Sequence, residues 1–226
     1  MSDFTGVAPP VAATRAAAMT RRRWTASQVG RFKPLLFVLC LIPFLRWFYL
    51  GYTDGLTANP VEFITRSSGF WTLAMLLLTL AVTPVRQLLD QPALVRVRRM
   101  LGLFAFFYVV LHLLTWVVLD RNMDLSSMIK DVLDRTFIFV GMAAFLLMLP
   151  LALTSTQGWM RRLGLKWMRL HRMIYAIGVL GIVHFWLMRA GKHDFAEPIL
   201  YGTLLALLLL WRIVRAWRNR RRTVAV

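Results

Sequence analysis

Three histidines and one arginine carry the chemistry that this sequence offers. His171 and His184 belong to one stretch, 166–187, in which a basic amphipathic lead-in runs into an apolar span; His112 lies in another apolar run, 100–119. An ionisable side chain inside a membrane span is costly enough to mark a functional site by default, and imidazole is the commonest metal ligand. His171 and His184 stand thirteen positions apart. At the helical rise of about 1.5 Å per residue they are roughly 20 Å apart along the axis, one near a membrane face and the other in the opposite half.

The elements that must hold these groups are read from composition and charge. The chain has 226 residues, 58% hydrophobic and only 17% charged, with a mean hydropathy of +0.60. That is too apolar for a soluble domain and describes a polytopic membrane protein. The net charge of +18 does not point to nucleic acid, because the basic residues gather in short segments between apolar runs and at both ends. The single cysteine, Cys40, excludes an internal disulfide and any cysteine-ligated zinc or iron–sulfur site.

Six apolar segments follow one another at about 34–50, 68–85, 100–119, 133–153, 170–188 and 198–214, near the length that spans about 30 Å of hydrocarbon. The connections alternate in charge. Arg86, Arg96, Arg98 and Arg99 follow the second span, Arg161, Arg162, Lys166 and Arg169 the fourth, and Arg212 through Arg222 the sixth. The others hold Asp54 and Glu62, then Asp120, Asp124, Asp131 and Asp134, then Asp194 and Glu197. The positive-inside rule then predicts an all-α bundle of six transmembrane helices with both termini in the cytoplasm. Residues 1–33 read as a flexible basic cytoplasmic tail, 34–215 as the membrane domain and 216–226 as a second short basic tail. The arginines at 21–23 look superficially like an export signal, but the apolar run starts late and lacks a small-residue cleavage site, so the tail is expected to be retained.

With this topology, spans three and five both run outward and bring His112 and His184 to nearly the same depth, in the outer half. Two histidines on different helices at matched depth can ligate one haem from both faces; the alternative is a pair bonded to backbone or other polar groups of the bundle. His171 sits beside Arg169 and Arg172 at the start of span five, where a wet interfacial histidine is as good a reading as a ligand. The residue fourteen before His112, where a matching inner ligand would stand, is Arg98. Fourteen residues return to within about 40° of the same helical face, whereas thirteen miss by about 140°. Span five is therefore either bent, with Gly178 and Gly181 as the sites for it, or leaves His171 outside the regular helix. Arg98 is read either as a clamp for a carboxylate or phosphate or as part of the topology charge. His193 reads as a solvated loop residue.

The six-span layout, the histidine of span three, the paired histidines of span five and the phrases LAVTPVRQL, RRMLGL and RLHRMIYAIGVLGIVHF resemble the ferric-reductase-like transmembrane superfamily. Within it the likeness is to the haem-binding membrane subunits of bacterial periplasmic methionine sulfoxide reductase systems, over about 31–217. The resemblance implies a bacterial inner-membrane protein with haem b, one or two groups, that passes electrons outward to a periplasmic molybdopterin-containing methionine sulfoxide reductase. It implies His112 and His184 as outer haem-iron ligands and His171 as a third histidine of an inner site. At Arg98 the chain departs from the related oxidases, which have a fourth histidine, and this leaves room for a flavin such as FMN or a quinone. Those enzymes also carry a flavin and nucleotide domain after the last span, where a short basic tail stands here. Electrons are then expected from a membrane quinol or a cytoplasmic flavin reductase. Two other functional classes stay open on the residues alone: a transporter or proton relay, which the scarcity of acidic residues within the spans opposes, and a structural anchor for a periplasmic enzyme.

Overall fold

The computed structural model describes residues 23–191 and 193–224. The elements are α1 (Ala26–Tyr52), α2 (Pro60–Leu88), α3 (Arg98–Leu114), α4 (Leu125–Asp134), α5 (Thr136–Leu153), the short α6 (Gln157–Leu163) and α7 (Leu165–Leu170), α8 (Ile174–Ala190) and α9 (Ala196–Val224). A 3-10 turn, Pro92–Val97, leads into α3, and a π-helical stretch, Thr115–Asp120, continues it; a second 3-10 turn, His171–Met173, joins α7 to α8. Six helical segments of the described residues are long and apolar enough to cross a membrane: Ala26–Tyr52, Pro60–Leu88, Pro92–Asp120, Thr136–Leu153, Leu165–Ala190 and Ala196–Arg221. The expected six-span, all-helical architecture is what the chain adopts.

Local chemistry starts the helices where hydropathy does not. Thr25 caps α1 through a capping box with Gln28, and Asn59 caps α2 ahead of Pro60, each satisfying amides that the first turn leaves open. Helices consequently begin earlier than the apolar runs. α1 starts at Ala26 rather than Pro34, and α9 runs on to Val224 through residues read as a tail; residues 1–22 lie outside the described part.

Two helix pairs dominate the packing, α2 with α3 and α5 with α8, and α9 lies against α8 and α2. The core centres on α2 and α3, where Leu80, Ala105 and Tyr108 are fully buried. Tyr108 donates to the Cys40 carbonyl at 2.6 Å, and Trp47 Nε1 donates to Ser67 Oγ at 2.9 Å, which ties α1 to this pair. Large apolar side chains such as Phe48, Phe139, Leu146, Leu207 and Ile213 stay exposed, as faces turned to lipid would.

One element was unexpected. α4 lies in a connection read as an acidic loop, and it buries Asp131 against the bundle while exposing Leu125, Ile129 and Leu133. The reason is Arg121, whose Nη2 lies 2.5 Å from Asp131 and pulls the polar face inward.

Candidate metal centre

His112 on α3 and His184 on α8 come together, their ring centroids 6.1 Å apart and their planes at 82°. The matched depth expected of them is therefore observed. Metal–imidazole bonds of about 2.0–2.1 Å on opposite sides of one metal would hold two ring centres roughly 6 Å apart. The spacing fits a metal shared between the rings.

Each ring is held from behind by a helix backbone. His112 Nδ1 lies 2.9 Å from the Thr65 carbonyl of α2, and His184 Nδ1 lies 2.6 Å from the Phe137 carbonyl of α5. In both cases the partner stands 47 residues earlier in the chain. With Nδ1–H donating, the neutral ring presents the lone pair of Nε2, the form a metal binds. Four residues after each carbonyl stands a glycine, Gly69 and Gly141. A Cβ on Gly69 would lie 3.1 Å from His112 Cε1, and one on Gly141 would lie 2.7 Å from His184 Nδ1. The two helix pairs thus repeat one device, a bare carbonyl with a glycine one turn on, that seats an imidazole.

The His112 seat has additional polar groups. Ser68, fully buried, donates to the same Thr65 carbonyl at 2.9 Å and stands 3.2 Å from His112 Nδ1. Thr115, first residue of the π-helical stretch, donates to the His112 carbonyl at 2.8 Å; such irregular turns often occur at functional positions. An apolar cavity of about 620 Å³, lined by residues including Phe44, Trp47, Leu111 and Thr115, borders this stretch on the α1 side, and neither imidazole lines it.

His171 is separate from this pair. It lies in the 3-10 turn before α8, outside the regular helix, and the break falls there rather than at Gly178 or Gly181, which α8 runs through. Its ring stacks on Trp167 at 3.8 Å and its Nδ1 meets the Trp167 carbonyl, while its buried Nε2 makes no hydrogen bond of good geometry, with the Leu151 carbonyl near the ring. Arg98, the first residue of α3, is within electrostatic range of both His171 and Arg212. Arg212 bonds the Leu80 carbonyl and lies over the Tyr175 ring at 5.3 Å. Among the described residues no carboxylate pairs with Arg86, Arg98 or Arg212, and the one described acid at this end, Asp90, is bonded to Arg23 at 2.7 Å. His193 lies in the α8–α9 connection with a positive φ.

Residues 68–182, which contain His112, His171 and Arg98, match the family described as ferric reductase like transmembrane component. The protein-methionine-sulfoxide reductase heme-binding subunit MsrQ of Bordetella pertussis is 63% identical over 196 residues, 87% of this chain and 95% of that protein. The MsrQ subunits of Herminiimonas arsenicoxydans and Ralstonia nicotianae are 52% and 54% identical, over 88% and 82% of this chain and 92% and 86% of their own lengths. The chain belongs to the MsrQ family of ferric-reductase-like transmembrane components. No solved structure matches it.

For this MsrQ-family chain, the sequence singles out His112 and His184 but not the groups that hold them. Thr65, Ser68, Gly69, Phe137 and Gly141 gave one faint signal, glycines in apolar spans at the same distance ahead of each histidine. Nothing in hydropathy marks a backbone carbonyl.

Proposed function

We propose that the chain is the b-type haem electron-transfer subunit of a periplasmic methionine sulfoxide reductase system in the bacterial inner membrane. His112 and His184 would hold the haem iron. What carries the reading is the two imidazoles brought from different helices to 6.1 Å, each with Nδ1 tied to a carbonyl. The donor set also fits: the two imidazole nitrogens, from His112 and His184, are the ligands the chain would give to haem iron. Haem, when bound, supplies a one-electron couple whose potential is tuned by its ligands, their hydrogen bonds and burial. The names of the relatives, heme-binding subunits of a protein-methionine-sulfoxide reductase, support the same assignment.

The partner in this scheme is a periplasmic molybdopterin enzyme that reduces the sulfoxide, so this chain carries electrons and leaves the oxygen chemistry to its partner. Electrons enter at the arginine-rich end, from a quinol or a cytoplasmic flavin reductase. Arg98, with no carboxylate partner among the described residues, suits the anionic oxygens of a haem propionate or of an FMN phosphate there, and His171, whose buried Nε2 makes no hydrogen bond, would serve the same inner site.

An absorption spectrum of the purified protein, oxidised and dithionite-reduced, tests the centre. His112→Ala and His184→Ala should each abolish one and the same low-spin haem signal, and His171→Ala should leave it largely intact. Full low-spin haem in His112→Ala would refute the shared-ligand scheme.

A further inference from the structure

The two imidazole seats share a plan but not a strength. A helical carbonyl has two lone pairs. At Phe137 they serve the α5 amide one turn on and His184 Nδ1–H, at 2.6 Å. At Thr65 three donors compete: the α2 amide one turn on, His112 Nδ1–H at 2.9 Å and the Ser68 hydroxyl at 2.9 Å. The Ser68 oxygen, 3.2 Å from Nδ1, also divides the same N–H between the carbonyl and a hydroxyl, the poorer acceptor. The residue matching Ser68 in the second seat, three after the carbonyl, is Val140, which has no hydroxyl.

We propose that Ser68 is a positioning residue that makes His112 the weaker of the two imidazole donors, by sharing the carbonyl that His112 leans on. The inference rests on the haem reading above. A Nδ1–H that donates strongly raises the basicity of Nε2. His184, with a carbonyl less contested and a shorter bond, is the stronger donor; His112, sharing its acceptor, gives less electron density. Weaker donation favours the reduced metal, so Ser68 holds the midpoint potential higher than the bare seat would.

The geometry that matters is local to one helix turn, since a serine hydroxyl bonds back to the carbonyl three or four residues earlier. It can therefore be removed from one seat and installed in the other. Optical redox titration and low-temperature electron paramagnetic resonance of the membrane protein with haem bound read the outcome. Ser68→Ala should lower the midpoint and shift the g-values of the low-spin ferric signal without loss of haem. Ser68→Thr, which keeps the hydroxyl, should return both toward wild type. Val140→Ser, in a half-buried position, should raise the midpoint by weakening the His184 seat in the same way. A Ser68→Ala midpoint that is unchanged or higher, or a Val140→Ser midpoint that does not rise, overturns the proposal. Absence of haem from the wild-type protein would instead remove the function on which it rests.

Discussion

A glycine one turn beyond a helix carbonyl clears room for a ring from another helix to lie on that carbonyl, because each Cα–Cβ bond leans toward the N-terminus and crowds it. Gly69 and Gly141 are these glycines. The 2.7 Å approach of a Cβ at Gly141 to His184 Nδ1 is impossible without moving the ring, whereas the 3.1 Å contact at Gly69 needs a shift of a few tenths of an ångström. Gly141→Ala should therefore cost about 1–3 kcal/mol as an overpacked site and disturb the haem spectrum, and Gly69→Ala should do less of both. Gly181, with nothing within 4 Å of its missing Cβ, is the control. Gly181→Ala should leave the spectrum unchanged and gain up to about 1 kcal/mol of helix propensity. Thermal unfolding and the absorption bands of the three variants decide it; equal effects at Gly141 and Gly181 would show that the glycines are not seats.

At the scale of elements, irregular turns set where the histidines stand. The 3-10 turn His171–Met173 takes His171 out of the regular helix that carries His184, and the π-helical stretch after α3 begins at Thr115, whose hydroxyl bonds back to the His112 carbonyl. Between the two histidine-bearing pairs lies α4, pinned by Asp131 to Arg121 at 2.5 Å and to Arg135 at 3.3 Å. Removing one member of a largely buried ion pair leaves the opposite charge poorly compensated, and the loss falls on α4 rather than on the helices that hold the rings. Asp131→Ala should raise hydrogen exchange across 125–134 with the haem bands unaltered. Unchanged exchange there would mean that packing of Met128 and Val132 suffices to hold α4.

For the whole molecule, the described carboxylates Asp54, Glu62, Asp120, Asp124, Asp131, Asp134, Asp194 and Glu197 belong to one end of the bundle, and Asp90 alone to the other. The arginine-rich end is expected to face the cytoplasm. A reporter fused after Val226 should be active only in its cytoplasmic form, and one inserted after Gly191 only in its periplasmic form. The opposite pattern would reverse the direction of electron flow proposed for the chain.

Span number and the histidines that stand within the spans were legible from the sequence alone, because both follow from the cost of polar groups in hydrocarbon. An apolar run of sufficient length must be a helix, and a histidine within one stands out against it. The equal depth of His112 and His184 followed from counting residues along helices of known rise. The irregularity of span five was legible as a mismatch of phase with two readings, and the structure takes the one that leaves His171 outside the regular helix, stacked on Trp167. α4 was hidden because its polar face turns inward to meet Arg121, a pairing across elements. The seats themselves were beyond sequence reading. They are made of backbone carbonyls, which every residue has, and only the packing of α2 on α3 and α5 on α8 decides which two of them meet an imidazole.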